Sequence, residues 1–179
     1  IWVEVHTRLF PPASHVGRDR IISDTHVRSQ AVACVFRGSA ALQLSDTLQI
    51  AYICAHWAKN FNQQRGLIPL LDLLQLLKNG EDVIDWDSLL GWLHASRSAA
   101  HVHVMLAYLA RHHLITLPPA TGARLASIQT GLNRWSVSIL HRLMDRYLMH
   151  GRHFGRVDSA HNISIIWKSL LSPGSAWGN

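Results

Sequence analysis

Chemistry in this chain would start at Glu4. It lies in an alternating segment between Trp2 and His6. Residues two apart on a strand share a face, so Glu4 and His6 would point the same way. A carboxylate beside an imidazole can help ligate a divalent cation. The same pattern also suits a plain solvated strand face, and these residues alone leave both readings open. Tyr52, His56 and Lys59 follow at four- and three-residue steps, which puts them on one helix face. Asp72 sits inside the apolar run Leu67–Leu77. A carboxylate buried there without a partner would cost several kcal/mol or titrate upward. A partner is therefore expected: His56, Lys59 or a neighbouring backbone amide. The result is either a polar clasp between two packed helices or a polar cluster facing a substrate cleft.

Other chemical candidates read more plainly. Asp85-Trp86-Asp87 has Asp-x-Asp spacing, but it opens a helical pattern, with Asp85 as cap and Asp87 in the first turn. Of the 13 histidines, His101 and His103 are two apart on a helix and so face apart. His112 and His113 are adjacent, and His150 and His153 flank Gly151. None has the His-Glu-x-x-His spacing of a zinc helix. Arg142 and Arg146 are one turn apart, and Arg134 lies two turns before Arg142. They form a phosphate-binding stripe or a solvated helix face. Trp57, Trp86, Trp92 and Trp135 occupy apolar helical positions and read as core.

These residues need elements to hold them. Ile1–Phe10 alternates as a strand and stops at Pro11-Pro12. Such a strand needs partners elsewhere. The chain opens on Ile1, so sequence upstream of it is expected. Ala31–Phe36 is a short apolar run of strand character. From Ser45, a good N-cap, a helix is expected to Asn60. A second runs through Leu67–Leu77, apolar nearly all round and expected to be buried, and stops at Asn79-Gly80. A third begins at Asp85, and a fourth spans Ser98–His113. Helix then resumes near Thr121 toward Met149, with a weak point at Gly131, and a short last helix covers Ile163–Leu171. The expected fold is mainly α within an α+β class: a short N-terminal strand or hairpin, then about six helices. The divisions fall at 1–44, 45–118 and 119–179.

Composition bounds the rest. Hydrophobic residues make up 48% and charged residues 16%, which is globular and far from disorder. No apolar run reaches transmembrane length. Cys34 and Cys54 have apolar neighbours, which suits reduced, buried thiols and a cytoplasmic location. The net charge of +6 favours anionic partners, yet no dense basic block marks a nucleic-acid binder.

Four stretches in order carry a family resemblance. They are Ser45-Asp46-Thr47-Leu48, Cys54-Ala55-His56-Trp57-Ala58-Lys59, Leu70-Leu71-Asp72-Leu73, and Ile84-Asp85-Trp86 with Leu89-Leu90. Together they resemble the C-terminal half of a bacterial family of proposed nucleotidyltransferases found with surface-polysaccharide gene clusters. Leu117-Pro118 fits the family's close, so the likeness covers Ile1–Pro118. Trp2–Phe10 is similar to the family's carboxylate-x-His-x-x-Leu strand. The resemblance implies three carboxylates around a pair of Mg²⁺ ions, two from an Asp-x-Asp strand and the third at Glu4. It implies a nucleoside triphosphate donor, an acceptor of unknown kind, and substrate-side roles for His56, Lys59 and Asp72. The helices would be the part of a nucleotidyltransferase that packs beside its sheet. The family's glycine-rich turn and Asp-x-Asp strand do not occur here: Gly38-Ser39 follows the strand, with no Asp-x-Asp strand behind it. One carboxylate cannot hold two cations, so the chain alone is expected to be inactive. The alternative is a non-catalytic basic helical module that binds a partner protein or nucleic acid.

Overall fold

A computed structural model of the chain describes residues 9–10, 16–60, 67–80, 82–94, 96, 98–128 and 134–145. Most of the Ile1–Phe10 segment lies outside this set, as do Arg146, His150, His153 and the expected helix at Ile163–Leu171. Of that segment, Leu9 and Phe10 are described, and they form a bend. Two 3-10 turns, Val16–Arg18 and Arg20–Ile22, lead into the short helix α1, Asp24–Ser29. The Ser23 hydroxyl caps α1 by accepting from the His26 amide at 3.3 Å.

Strands β1 (Ala31–Phe36) and β2 (Ser39–Leu44) then form an antiparallel hairpin, with Ala31 opposite Leu44 and Phe36 opposite Ser39. Its two-residue turn is Arg37-Gly38, both at positive φ (50° and 81°). That geometry twists the turn to match the strands, and glycine adopts it at no steric cost. The expected strand at Ala31–Phe36 is present. Gly38 completes the turn that closes the hairpin, and Ser39 opens β2.

Helix α2 covers Asp46–Asn60. Ser45 caps it, accepting from the Leu48 amide at 3.3 Å. Helix α3 covers Leu67–Asn79 and α4 covers Trp86–Leu93. Asp85 caps α4, taking the Ser88 amide at 2.9 Å and the Ser88 hydroxyl at 2.7 Å. These bonds hold the exposed Asp85 carboxyl below its ordinary pKa, as befits a helix cap. The Asp85 amide in turn donates to Thr47 Oγ1 at 3.0 Å, tying the start of α4 to the start of α2.

Helix α5 covers Ser98–Arg111 and lies at the centre of the core. It buries residues around its whole circumference, from Ala99 and Val102 to Met105, Tyr108 and Leu109. It packs on α2, on α6 (Pro119–Ser127) and on α7 (Arg134–Met144). The helix expected from Thr121 onward thus begins two residues earlier, at the proline pair, and breaks at Ile128. Ile128 is buried with extended backbone. Leu125, Ile128, Leu140 and Met144 join the same core cluster as α2 and α5.

Two burial expectations need correction. Helix α3 is not buried all round. Leu70, Leu73 and Leu77 face the core, while Ile68 (62%) and Leu71 (53%) are exposed. Its substantial packing is against α2, so one stripe suffices. Trp57 is fully buried, but Trp135 is 76% exposed. Helix α7 turns Leu140, His141 and Met144 inward, and Trp135 shares the outer face with exposed Arg142.

Candidate functional site

The candidate site is built on one face of α2. Residues 46, 49, 52, 56 and 59 follow at three- and four-residue steps and so make one polar stripe. In the middle of it the Tyr52 and His56 rings stack, with centroids 5.7 Å apart and planes 28° from parallel. Phe10, itself buried, closes on both: 5.6 Å to Tyr52 and 6.3 Å to His56. The shared face expected for Tyr52 and His56 is therefore present. Lys59 lies on α2, with its side chain outside the described residues, and Glu4 lies outside them altogether.

Asp72 stands on the exposed side of α3. Solvent satisfies it there, so the buried partner expected from its apolar neighbours is not needed. It lines an open groove of about 620 Å³ between α2, α3 and the end of β2, together with Asp46, Gln49, Tyr52 and Gln75. The structure thus brings Asp72 and Tyr52 into one groove. His56 meets that groove through the Tyr52 stack and is not part of its lining.

Asp46 and Gln49 were not foreseen as site residues. Asp46 sits in the first turn of α2, where a carboxylate suits the helix dipole. The signal was the three-residue step from Asp46 to Gln49 to Tyr52, which continues the stripe toward the N-terminus of α2. The Gln49 amide nitrogen donates to the Leu44 carbonyl at 3.0 Å and to Asp46 Oδ1 at 3.3 Å. Those bonds fix both side chains at the junction of β2 and α2.

Two other grooves carry positive charge. One, of about 550 Å³, is lined by Arg20, His94, Arg124 and Ser127. The other, of about 420 Å³, is lined by Lys78, Trp86 and the residues from His113 to Pro119. Arg124 pairs with Asp87, which places the second aspartate of the Asp-x-Asp spacing in a link between α4 and α6.

Polar groups are also buried between α5 and α7. His141 donates through Nε2 to the Val104 carbonyl at 3.1 Å, and its ring meets Tyr108 edge-on at 5.5 Å. His112 Nε2 is 2.9 Å from Asp145 Oδ1. Burial lowers the pKa of His141 and of His103, and burial together with Asp145 raises that of Tyr108. These shifts favour neutral groups, as a packed helix interface requires. Among the described residues no group of three His, Cys, Asp or Glu side chains is placed to hold a metal.

Comparison with known proteins bears on the first part of the chain. The family described as uncharacterised nucleotidyltransferase matches residues 1–114. No curated protein and no solved structure matches the chain. The matched span runs through the hairpin and α2–α5, and it contains Glu4, His56, Lys59 and Asp72. It covers well over half of the 179 residues, and the chain belongs to the uncharacterised nucleotidyltransferase family.

Proposed function

We propose that this chain supplies the acceptor side, and one metal-binding carboxylate, of a magnesium-dependent nucleotidyltransferase. Family membership over residues 1–114 carries the reading. In it Glu4 ligates Mg²⁺, a nucleoside triphosphate is the donor, and the α2 face with His56, Lys59 and Asp72 serves the substrate side. Chain length supports the grouping. Glu4 lies six positions before Phe10, an extended span of at most about 20 Å, and Phe10 packs on Tyr52 and His56.

Nucleotidyl transfer uses paired cations to hold the triphosphate and stabilise the in-line displacement. One carboxylate offers too few ligands for that, and Asp85-Trp86-Asp87 is committed to a helix start and a link to Arg124. The reading therefore assigns the remaining carboxylates to sequence outside this chain. The test compares a longer gene product containing this chain with the chain by itself. Each is incubated with magnesium and each labelled nucleoside triphosphate. Pyrophosphate release by the longer protein, lost in Glu4→Gln and absent from the isolated chain, is expected. Turnover by the isolated chain, or by the E4Q protein, would overturn the assignment.

A second reading has its own observation. The outer face of α7 presents exposed Trp135 and Arg142, an aromatic and a cation of the kind that hold nucleic acid or a partner protein. On this reading the chain is a basic binding module without catalysis. Salt-sensitive retention on a polyanion column, relative to a neutral matrix, would favour a nucleic-acid partner, and its absence would count against one.

A further inference from the structure

We propose that the groove between α2, α3 and the end of β2 binds an amino-substituted polyol, such as an amino sugar. The volume of about 620 Å³ lies within the range of small-molecule sites. Its charge is the informative feature. The chain carries 17 Lys and Arg and a net charge of +6, yet among the described residues no Lys, Arg or His lines this groove. Two carboxylates do, Asp46 from α2 and Asp72 from α3. The other two grooves are cationic, through Arg20 and Arg124 in one and Lys78 in the other. Phosphates and carboxylates are thus drawn to those grooves and repelled from this one.

The polar set is rich in acceptors. Asp46 and Asp72 accept only. Gln49 spends its amide nitrogen on Leu44 and Asp46, which leaves its carbonyl oxygen to offer. Gln75 and Asn79 add amides that both donate and accept. The complementary ligand is rich in donors: several hydroxyl groups and an ammonium group. Tyr52 supplies the apolar wall against which the C–H face of a sugar ring packs, and Phe10 and His56 hold its ring in place. Binding is read from the groove alone; that the bound amino polyol is the nucleotidyl acceptor rests on the function proposed above.

The test is a titration of the chain, without nucleotide or metal, with glucosamine and its β-1,4-linked dimer. Glucose and glucosamine 6-phosphate serve as controls. Saturable binding in the millimolar range or tighter is expected for the amines, with glucose weaker and the phosphate weakest. Asp72→Asn should weaken amine binding roughly tenfold, because a charge-assisted contact is lost. Asp72 is exposed, so its thermal midpoint should match that of the parent. Absence of saturable amine binding overturns the proposal. So does phosphate binding as tight as amine binding, or an unchanged affinity in D72N. No transfer is measured, so these outcomes are independent of whether the parent protein is an active nucleotidyltransferase.

Discussion

Asp19 Oδ2 accepts from both the amide and the hydroxyl of Ser98, each at 2.7 Å. Ser98 is the first residue of α5, so the carboxylate lies at the positive end of that helix. The Ser96 hydroxyl donates to the same oxygen at 2.8 Å, and Oδ1 takes the Ile21 amide at 3.3 Å. Asp19 is 3% exposed. It fastens the turns before the hairpin to the central helix.

Asp19→Ala would leave those donors buried with no acceptor. The loss should be about 3 kcal/mol, the scale for breaking a buried, charge-assisted set. Urea denaturation would show it as a lower midpoint at similar slope. A midpoint equal to that of the parent would mean that the clasp contributes nothing to folding.

Stability should fall as the solution is acidified below about pH 6.5, the ordinary His value. His141 and His103 are lowered by burial in the fold. Around His141 the Val104 hydrogen bond and Asp145 oppose that shift, while Arg111 and His103 add to it. The unfolded chain therefore binds more protons as the pH falls past 6.5. Stability is full above that pH and declines as the pH drops toward the folded-state values. His141→Gln retains a donor for the Val104 carbonyl and removes one titrating group, so part of the decline should vanish. Thermal midpoints measured between about pH 5 and 8 decide this. A midpoint that rises on acidification would contradict it.

Gly80 ends α3 at a crowded point. A Cβ there would stand 2.9 Å from the Leu76 carbonyl, 3.5 Å from Asp46 Oδ2 and 3.6 Å from the Ile84 side chain. The Gly80 amide already donates to that carbonyl at 2.9 Å, and Gly80 O receives the Val83 and Ile84 amides. Backbone held on both sides yields little. Gly80→Ala should cost about 2 kcal/mol by overpacking and should displace Asp46 in the groove. Scanning fluorimetry reads the first effect, and the glucosamine titration reads the second. Unchanged stability would show that α3 can shift freely against α2.

Local chemistry made much of this fold legible. Ser45 and Asp85 cap as their side chains require, and Asn79-Gly80 stops α3. What stayed hidden depends on distance along the chain or on exposure. Asp19 and Ser98 are 79 residues apart, so neither announces the other. Strand β2, Ser39–Leu44, lacks clear alternation and is defined by its pairing with β1. Asp72 lies on a helix of apolar sequence and Trp135 is an aromatic on an amphipathic one, but each helix packs by one stripe, and residue type alone does not say which side faces water. Of the candidate site, Tyr52 and His56 could be read from their spacing. The groove needed α3 to be placed against α2.

Thiol reactivity should separate the two cysteines, which were expected to be buried alike. Cys54, on α2, is fully buried, and burial pushes its pKa well above the ordinary thiol range. Cys34, on β1, is partly exposed, on a hairpin whose Val35 and Phe36 are open to solvent. The thiolate is the reacting form, so burial slows alkylation through both access and ionisation. Iodoacetamide on the native protein should add one label, on Cys34, by intact mass and peptide mapping. The second should appear only with denaturant, following loss of the α2–α5 core. If Cys54 were labelled in the native state as fast as Cys34, helix α2 would have to open readily, and the Tyr52–His56 face could not be a preformed wall of the site.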